Sequence, residues 1–311
     1  MTKCVKWDID ADVGNVRNTA IELRGKVVRN VYLKAFSSPA AAKSFLDSPR
    51  TSWRSRCLEK AEMFHGKDIS GTIVEIGAGT GWCSAVLSRK QNVDKVYALD
   101  YDTVSVDELM PIVFNQLEAD KTKIIRVIGS YNAMNLNDNT VDCVVSIGAL
   151  HHSENLQSTL TECSRILRPG GILIASEPCY PNCMSVTEQC QRENEILERS
   201  KIENLYGEDL SDIRAIDNSD HFYRLAEYEV AANKSGLDSY AYVFDASYKS
   251  GGRLALISRY LRDNFIGDRL FSNRITYQAF SKIIAYPYYA KKVNGKPVYD
   301  PLLLILIKPD V

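Results

Sequence analysis

No apolar run in this 311-residue chain approaches the roughly 20 residues that carry a helix across a bilayer; the longest, Leu302 to Ile307, has six. The first residues, Met1 to Asp8, lack the apolar stretch of a secretory leader, so no membrane span and a cytoplasmic location are expected. An excess of either charge is also missing. The 38 Lys and Arg nearly cancel the 39 Asp and Glu, which removes the broad positive field of a dedicated nucleic-acid binder and argues against nucleic acid as the partner. There is no C-x-x-C pair among the eight cysteines, and no internal repeat. Cys179, Cys183 and Cys190 cluster, but no His or acid completes a tetrahedral spacing near them, so free, mostly buried thiols and no metal are expected.

What is present is an alternation of strand and helix patterns from about residue 72 to 178, which implies an α/β fold with a mostly parallel sheet. Strands are predicted at 72–76, 95–100, 123–128, 141–147 and 172–176, with helices at 83–90, 104–117 and 156–167 between them. Arg168-Pro169-Gly170-Gly171 reads as a turn before the fifth strand. Further along, helices are expected at 186–205 and 220–235, and strands at 240–244 and 302–307.

Three segments exceed a minimal fold of this kind. Residues 1–70 are expected as a helical extension or lid, and the core as 71–247 with 302–311, interrupted by a helical insertion at about 184–218. Residues 248–301 form a second insertion, read as a substrate lid. From Met184 to Tyr240 there are 13 acids and 6 bases, whereas Tyr248 to Pro301 holds 3 acids, 10 bases and seven of the 17 tyrosines. The two segments either dock on each other or present the basic, aromatic one to an anionic substrate.

The densest chemical signal is Val74-Glu75-Ile76-Gly77-Ala78-Gly79-Thr80-Gly81. A dinucleotide fingerprint would space its glycines G-x-G-x-x-G; here they alternate, and an acid stands two residues before the first. That acid suits a ligand with a cationic amino-acid end better than a pyrophosphate. Asp100 ends the second strand, where an acid can cap the next helix.

This segment, with Asp100, the fourth strand running into Ala149-Leu150-His151-His152, and the turn at Arg165 to Gly171, resembles the class I S-adenosylmethionine-dependent methyltransferases, in particular the type 11 small-molecule group. The resemblance implies a Rossmann-like seven-stranded sheet with an antiparallel last strand. It also implies S-adenosyl-L-methionine as cofactor and S-adenosyl-L-homocysteine as product. By position, the cofactor residues would be Glu75, Gly77, Ala78, Gly79, Gly81, Asp100, Tyr101, Ser130, Tyr131, Ile147 and Gly148. Many members carry an acid for the adenine amino group where this chain has Gly129-Ser130-Tyr131; either the Ser130 hydroxyl replaces it or adenine stacks on Tyr131 or Tyr101.

Candidates for a catalytic base are His151, His152 and Glu177, with His221 further along; each also has a plain structural reading. Methyl transfer from a sulfonium needs alignment first and a base only for some acceptors. A small-molecule substrate is expected, anionic or glycosidic, such as a sugar, nucleotide-linked or natural-product intermediate. The alternatives are an RNA or protein acceptor, or cofactor binding without transfer.

Overall fold

A computed structural model describes residues 2–7, 22–206, 213–214, 216–218, 220–243, 275–276 and 300–310. Eight strands form one sheet: β1 (Lys3–Lys6), β2 (Gly71–Ile76), β3 (Val93–Asp100), β4 (Ile124–Ile128), β5 (Val141–Ile147), β6 (Leu167–Cys179), β7 (Asp238–Val243) and β8 (Asp300–Ile307). Their order is β1-β4-β3-β2-β5-β6-β8-β7. Strands β1 to β6 pair in parallel, and β8 lies antiparallel between β6 and β7. Strand order reverses between β2 and β5, which opens a crevice at the carboxyl ends of those two strands, where α/β folds bind ligands.

The sheet is covered on both faces, and β8 shows why its sequence is continuously apolar. Leu303, Ile305 and Ile307 enter one hydrophobic cluster, with Ile73, Val145, Cys57 and Phe114; Leu302, Leu304 and Leu306 enter the other, with Val74, Val144, Leu160 and Tyr228. Alternate side chains of a strand point to opposite faces, so a strand covered twice needs no polar position.

The expected α/β fold is present, with four differences in detail. The sheet has eight strands rather than seven, because Cys4 and Val5 pair with Arg126 and Val127 and extend the edge. A four-residue strand with no clear alternation carries no signal of its own. The predicted turn at Arg168 to Gly171 stays within the sheet: Gly170 N–H donates to the Lys308 carbonyl and Lys308 N–H returns a bond to Gly171, so these residues bulge from β6 without leaving it. The helix expected at 186–205 is two, Val186–Glu193 and Arg199–Tyr206, parted where Ile196 bridges Arg214 and Leu197 N–H donates to Ile213 at 2.8 Å. The helix placed at 220–235 begins at Leu225, leaving Asp220 to Arg224 irregular. The insertion at 248–301 falls almost wholly outside the described residues.

Residues 22–27 form a helical turn whose Leu23 and Val27 pack on Ile202, Tyr206 and Ile213. The N-terminal extension and the 184–218 insertion therefore share a small core beside the crevice. The helix Pro49–His65, capped by Ser48 at Thr51 N–H, buries Cys57, Leu58, Ala61 and Phe64 against the sheet. Five cysteines are buried and all are free; burial pushes the Cys57 thiol up to about 12.

Candidate active site

The loop after β2 turns through three glycines with positive φ, Gly77 (60°), Gly79 (52°) and Gly81 (76°). At Gly77 the absence of a side chain is forced from outside as well, since a Cβ there would lie 2.4 Å from the Ala149 Cβ in the loop after β5. At Gly81 a Cβ would press on Phe114 at 2.8 Å and Met110 at 3.0 Å, so packing also requires a glycine there.

Asp100 closes this turn from the tip of β3. Its Oδ2 accepts the Gly79 N–H at 2.7 Å and its Oδ1 the Asp102 N–H at 2.9 Å. Capping of the next helical segment falls to Asp102, which accepts from Val104 N–H, Ser105 N–H and the Ser105 hydroxyl. That leaves Asp100 for the crevice. Each of its oxygens keeps lone-pair capacity after one backbone bond, enough to accept two neighbouring hydroxyls. Burial raises its pKa against the opposing pull of Arg24 and the two amides.

Glu75 lies beneath the loop, fully enclosed, and accepts a hydrogen bond from the Ser84 hydroxyl. Burial pushes its pKa up to about 7, opposed by Ser84 and reinforced by Asp100. Gly77, Asp100, Tyr101, Tyr131 and Gly148 line one cleft together with Ala149, His152 and Arg24. Ala78, Ile147 and Ser130 are buried but do not line it; the Ser130 hydroxyl accepts the Asn132 N–H at 3.1 Å.

Two arginines that the sequence did not single out come from the segment before β2: Arg24 lines this cleft, and Arg54 approaches its Gly148. Arg24 Nη2 comes within 3.0 Å of where a Cβ on Gly79 would stand, and Arg54 Nη2 within 2.7 Å of the same point on Gly148. The cleft that Arg24 helps to line has a volume of about 20 Å³, smaller than a nucleoside. Burial would lower the Arg24 pKa, but Tyr32, Asp100, Tyr101 and Asp102 outweigh it and keep the guanidinium charged. No local motif marks either arginine; the only sequence signal is the buried pair Leu23 and Val27, which turns the intervening Arg24 away from its own small core.

Next to the cleft stands a group assembled from three loops. Glu177, at the carboxyl end of β6, is fully buried and accepts from the Ser146 hydroxyl (2.6 Å) and from Ala149 and Leu150 N–H (3.0 Å each). Its second oxygen lies 2.8 Å from His151 Nδ1. Burial would raise Glu177, but His151, Ser146 and Ala149 outweigh it and hold the carboxyl below its ordinary range. A carboxylate in that state requires a proton on Nδ1, which fixes the ring and turns Nε2 outward. Nε2 lies 3.5 Å from Asp220 Oδ1, and His152 Nδ1 lies 3.4 Å from the same oxygen. Asp220 is a participant the sequence reading missed, because it comes from an irregular stretch far along the chain. His221 donates its backbone N–H to His151 O, while its ring faces Glu193.

The cradle fits a cofactor with a ribose and an amino-acid end: two loops stripped of Cβ atoms, a carboxylate with spare acceptor capacity, and aromatic rings beside it. Comparison with known proteins agrees. Residues 74–175 match the family described as a methyltransferase domain. The malonyl-[acyl-carrier protein] O-methyltransferase 1 of Coxiella burnetii is 28% identical over 151 residues, which is 49% of this chain and 48% of that protein. Its namesake from Methylococcus capsulatus is 33% identical over 104 residues, 33% of this chain and 36% of the other. The chain thus spans about half or less of the curated relatives it matches. Among solved structures, a phosphoethanolamine N-methyltransferase 2 from Haemonchus contortus superposes with a TM-score of 0.53 at 15% identity, covering 92% of this chain and 60% of that one, a likeness of fold. The glycine loop, the carboxylate at the tip of β3 and the family match over the same strands lead to one conclusion: this chain carries a class I S-adenosylmethionine-dependent methyltransferase domain.

Proposed function

We propose that this protein transfers a methyl group from S-adenosylmethionine to an oxygen of a small-molecule acceptor, with His151 as the proton acceptor. The observation that carries the reading is the His151–Glu177 pair, an imidazole backed by a buried carboxylate at 2.8 Å and set beside the cofactor cleft. When bound, the cofactor supplies a methyl carbon already activated by a sulfonium. Asp100 would hold its ribose hydroxyls, Tyr101 and Tyr131 its ring, and Gly77, Gly79 and Gly148 its backbone-facing edge.

An acceptor hydroxyl held between that methyl group and His151 would be methylated on oxygen. The hydroxyl proton passes to His151 Nε2. Glu177 stabilises the resulting imidazolium and keeps the ring from turning, the role a buried carboxylate has behind a catalytic histidine. His152 and Asp220 then border the acceptor. The O-methyltransferase relatives support oxygen as the acceptor atom; a sugar, nucleotide-linked or natural-product hydroxyl is the substrate class read from the basic, Tyr-rich segment 248–301.

The test is incubation with methyl-labelled S-adenosylmethionine and fractionated small molecules, with mass detection of the product. Label recovered in an acid-stable, small-molecule ether or ester supports the proposal. Label recovered only in RNA or protein, or none transferred, overturns it.

A further inference from the structure

His151, His152 and Asp220 are brought together by the fold alone, since Asp220 lies in a different loop from the histidine pair. Their three donor atoms all lie within 4.8 Å of one another, and the two distances to Asp220 Oδ1 are 3.5 Å and 3.4 Å. In a tetrahedral site with metal–ligand bonds of about 2.0–2.1 Å, ligand atoms are separated by about 3.4 Å. The observed edges match that separation.

The surroundings also suit a metal. The three side chains are 14%, 17% and 27% exposed, shielded yet reachable. Glu177 holds the Nδ1 proton of His151, which directs the Nε2 lone pair toward Asp220 and raises its basicity; carboxylate–histidine–metal arrangements are built this way. Ala149, Leu150 and Ser146 fix Glu177 in turn. Two imidazoles and one carboxylate select a borderline-soft divalent transition ion over Mg²⁺ or Ca²⁺, which prefer all-oxygen ligands.

We propose that His151 Nε2, His152 Nδ1 and Asp220 form a binding site for one divalent transition-metal ion such as Zn²⁺, with a fourth position open toward the cleft. If His151 is the proton acceptor, a consequence that rests on the function proposed above, the ion occupies the lone pair that the reaction needs. Zn²⁺ then inhibits methyl transfer reversibly, and a chelator restores it. Sequence spacing alone points to no metal here, because two adjacent histidines without a third ligand nearby define no site.

The test is titration of the full-length protein with Zn²⁺ by calorimetry, and with Co²⁺ by visible absorption, which reports low-coordinate nitrogen and oxygen ligation. One equivalent is expected to bind. His152→Ala and Asp220→Asn should each weaken binding at least about tenfold, and Glu177→Gln by about 10–100-fold through the ring it orients. Thermal melts establish that each variant is folded, and a Glu177→Gln protein that melts early leaves the other two to decide. Absence of stoichiometric binding, or equal binding by His152→Ala and Asp220→Asn, for instance at the exposed Cys4 or Cys190, overturns the proposal. A protein that binds Zn²⁺ as expected but keeps full methyl transfer in His151→Ala retains the metal site and loses only the base.

Discussion

The carboxylate of Asp100 accepts the backbone N–H of Gly79 at 2.7 Å, tying the tip of β3 to the glycine turn after β2. One residue thereby shapes the loop and presents acceptor atoms to the cleft that the loop borders. Asp100→Asn keeps the side-chain volume and one carbonyl acceptor but loses the charge and half the acceptor capacity. S-adenosylmethionine affinity should fall about tenfold or more by calorimetry. Unchanged affinity would remove Asp100 from the cofactor site.

Two of the three glycines of the turn, Gly77 and Gly79, should respond unequally to Ala. A Cβ at Gly77 meets the Ala149 Cβ at 2.4 Å, and φ is +60°. Gly77→Ala should destabilise the fold by roughly 2 kcal/mol or more and displace the histidine loop, abolishing cofactor binding. At Gly79 the obstacle is the far end of Arg24, a flexible side chain at 3.0 Å. Gly79→Ala should cost less in melting temperature than Gly77→Ala; the reverse order would contradict the packing described here.

Glu75 gives the protein a pH dependence of defined sign. Burial raises its folded pKa from the ordinary 4.5 to about 7, so between those values the folded chain holds a proton that the unfolded chain has lost. Its contribution is fully retained below about pH 4.5 and is lost as pH rises toward 7, by up to roughly 3 kcal/mol. In denaturation of the cofactor-free protein, Glu75→Gln should remove this slope and gain stability relative to wild type near pH 7. Identical pH profiles for the two proteins would show that Glu75 does not titrate there.

His151→Ala should lower turnover about 100-fold or more while leaving S-adenosylmethionine affinity within about threefold, as expected for a group that acts on the acceptor's proton. A rise in KM for the acceptor with kcat unchanged would make His151 a binding group. Comparable turnover by His152→Ala and His151→Ala would contradict the distinct position of His151 between Glu177 and Asp220.

Local chemistry made much of this protein legible before its structure. The alternating glycines from 77 to 81, the acid ending the second strand and the apolar runs of β5 and β8 each reflect constraints set within a few residues. A turn without Cβ atoms and a strand covered on both faces are written into adjacent positions. They made the fold class and the glycine turn after β2 legible. Four kinds of feature were decided only by tertiary structure. The edge strand Lys3–Lys6 exists because β4 offers it a free ladder, not because its own sequence alternates. Arg24 lines the cleft and Arg54 approaches Gly148 because residues 22–27 and the helix Pro49–His65 are anchored elsewhere by apolar contacts. Asp102 took over the capping that left Asp100 to the cleft. Asp220 joined the histidines because its backbone neighbour His221 is hydrogen-bonded to His151, a contact between distant segments. Spacing along a chain records what neighbours in sequence must do. Which distant side chains share a few ångströms is set by how the sheet reverses and what packs over its ends.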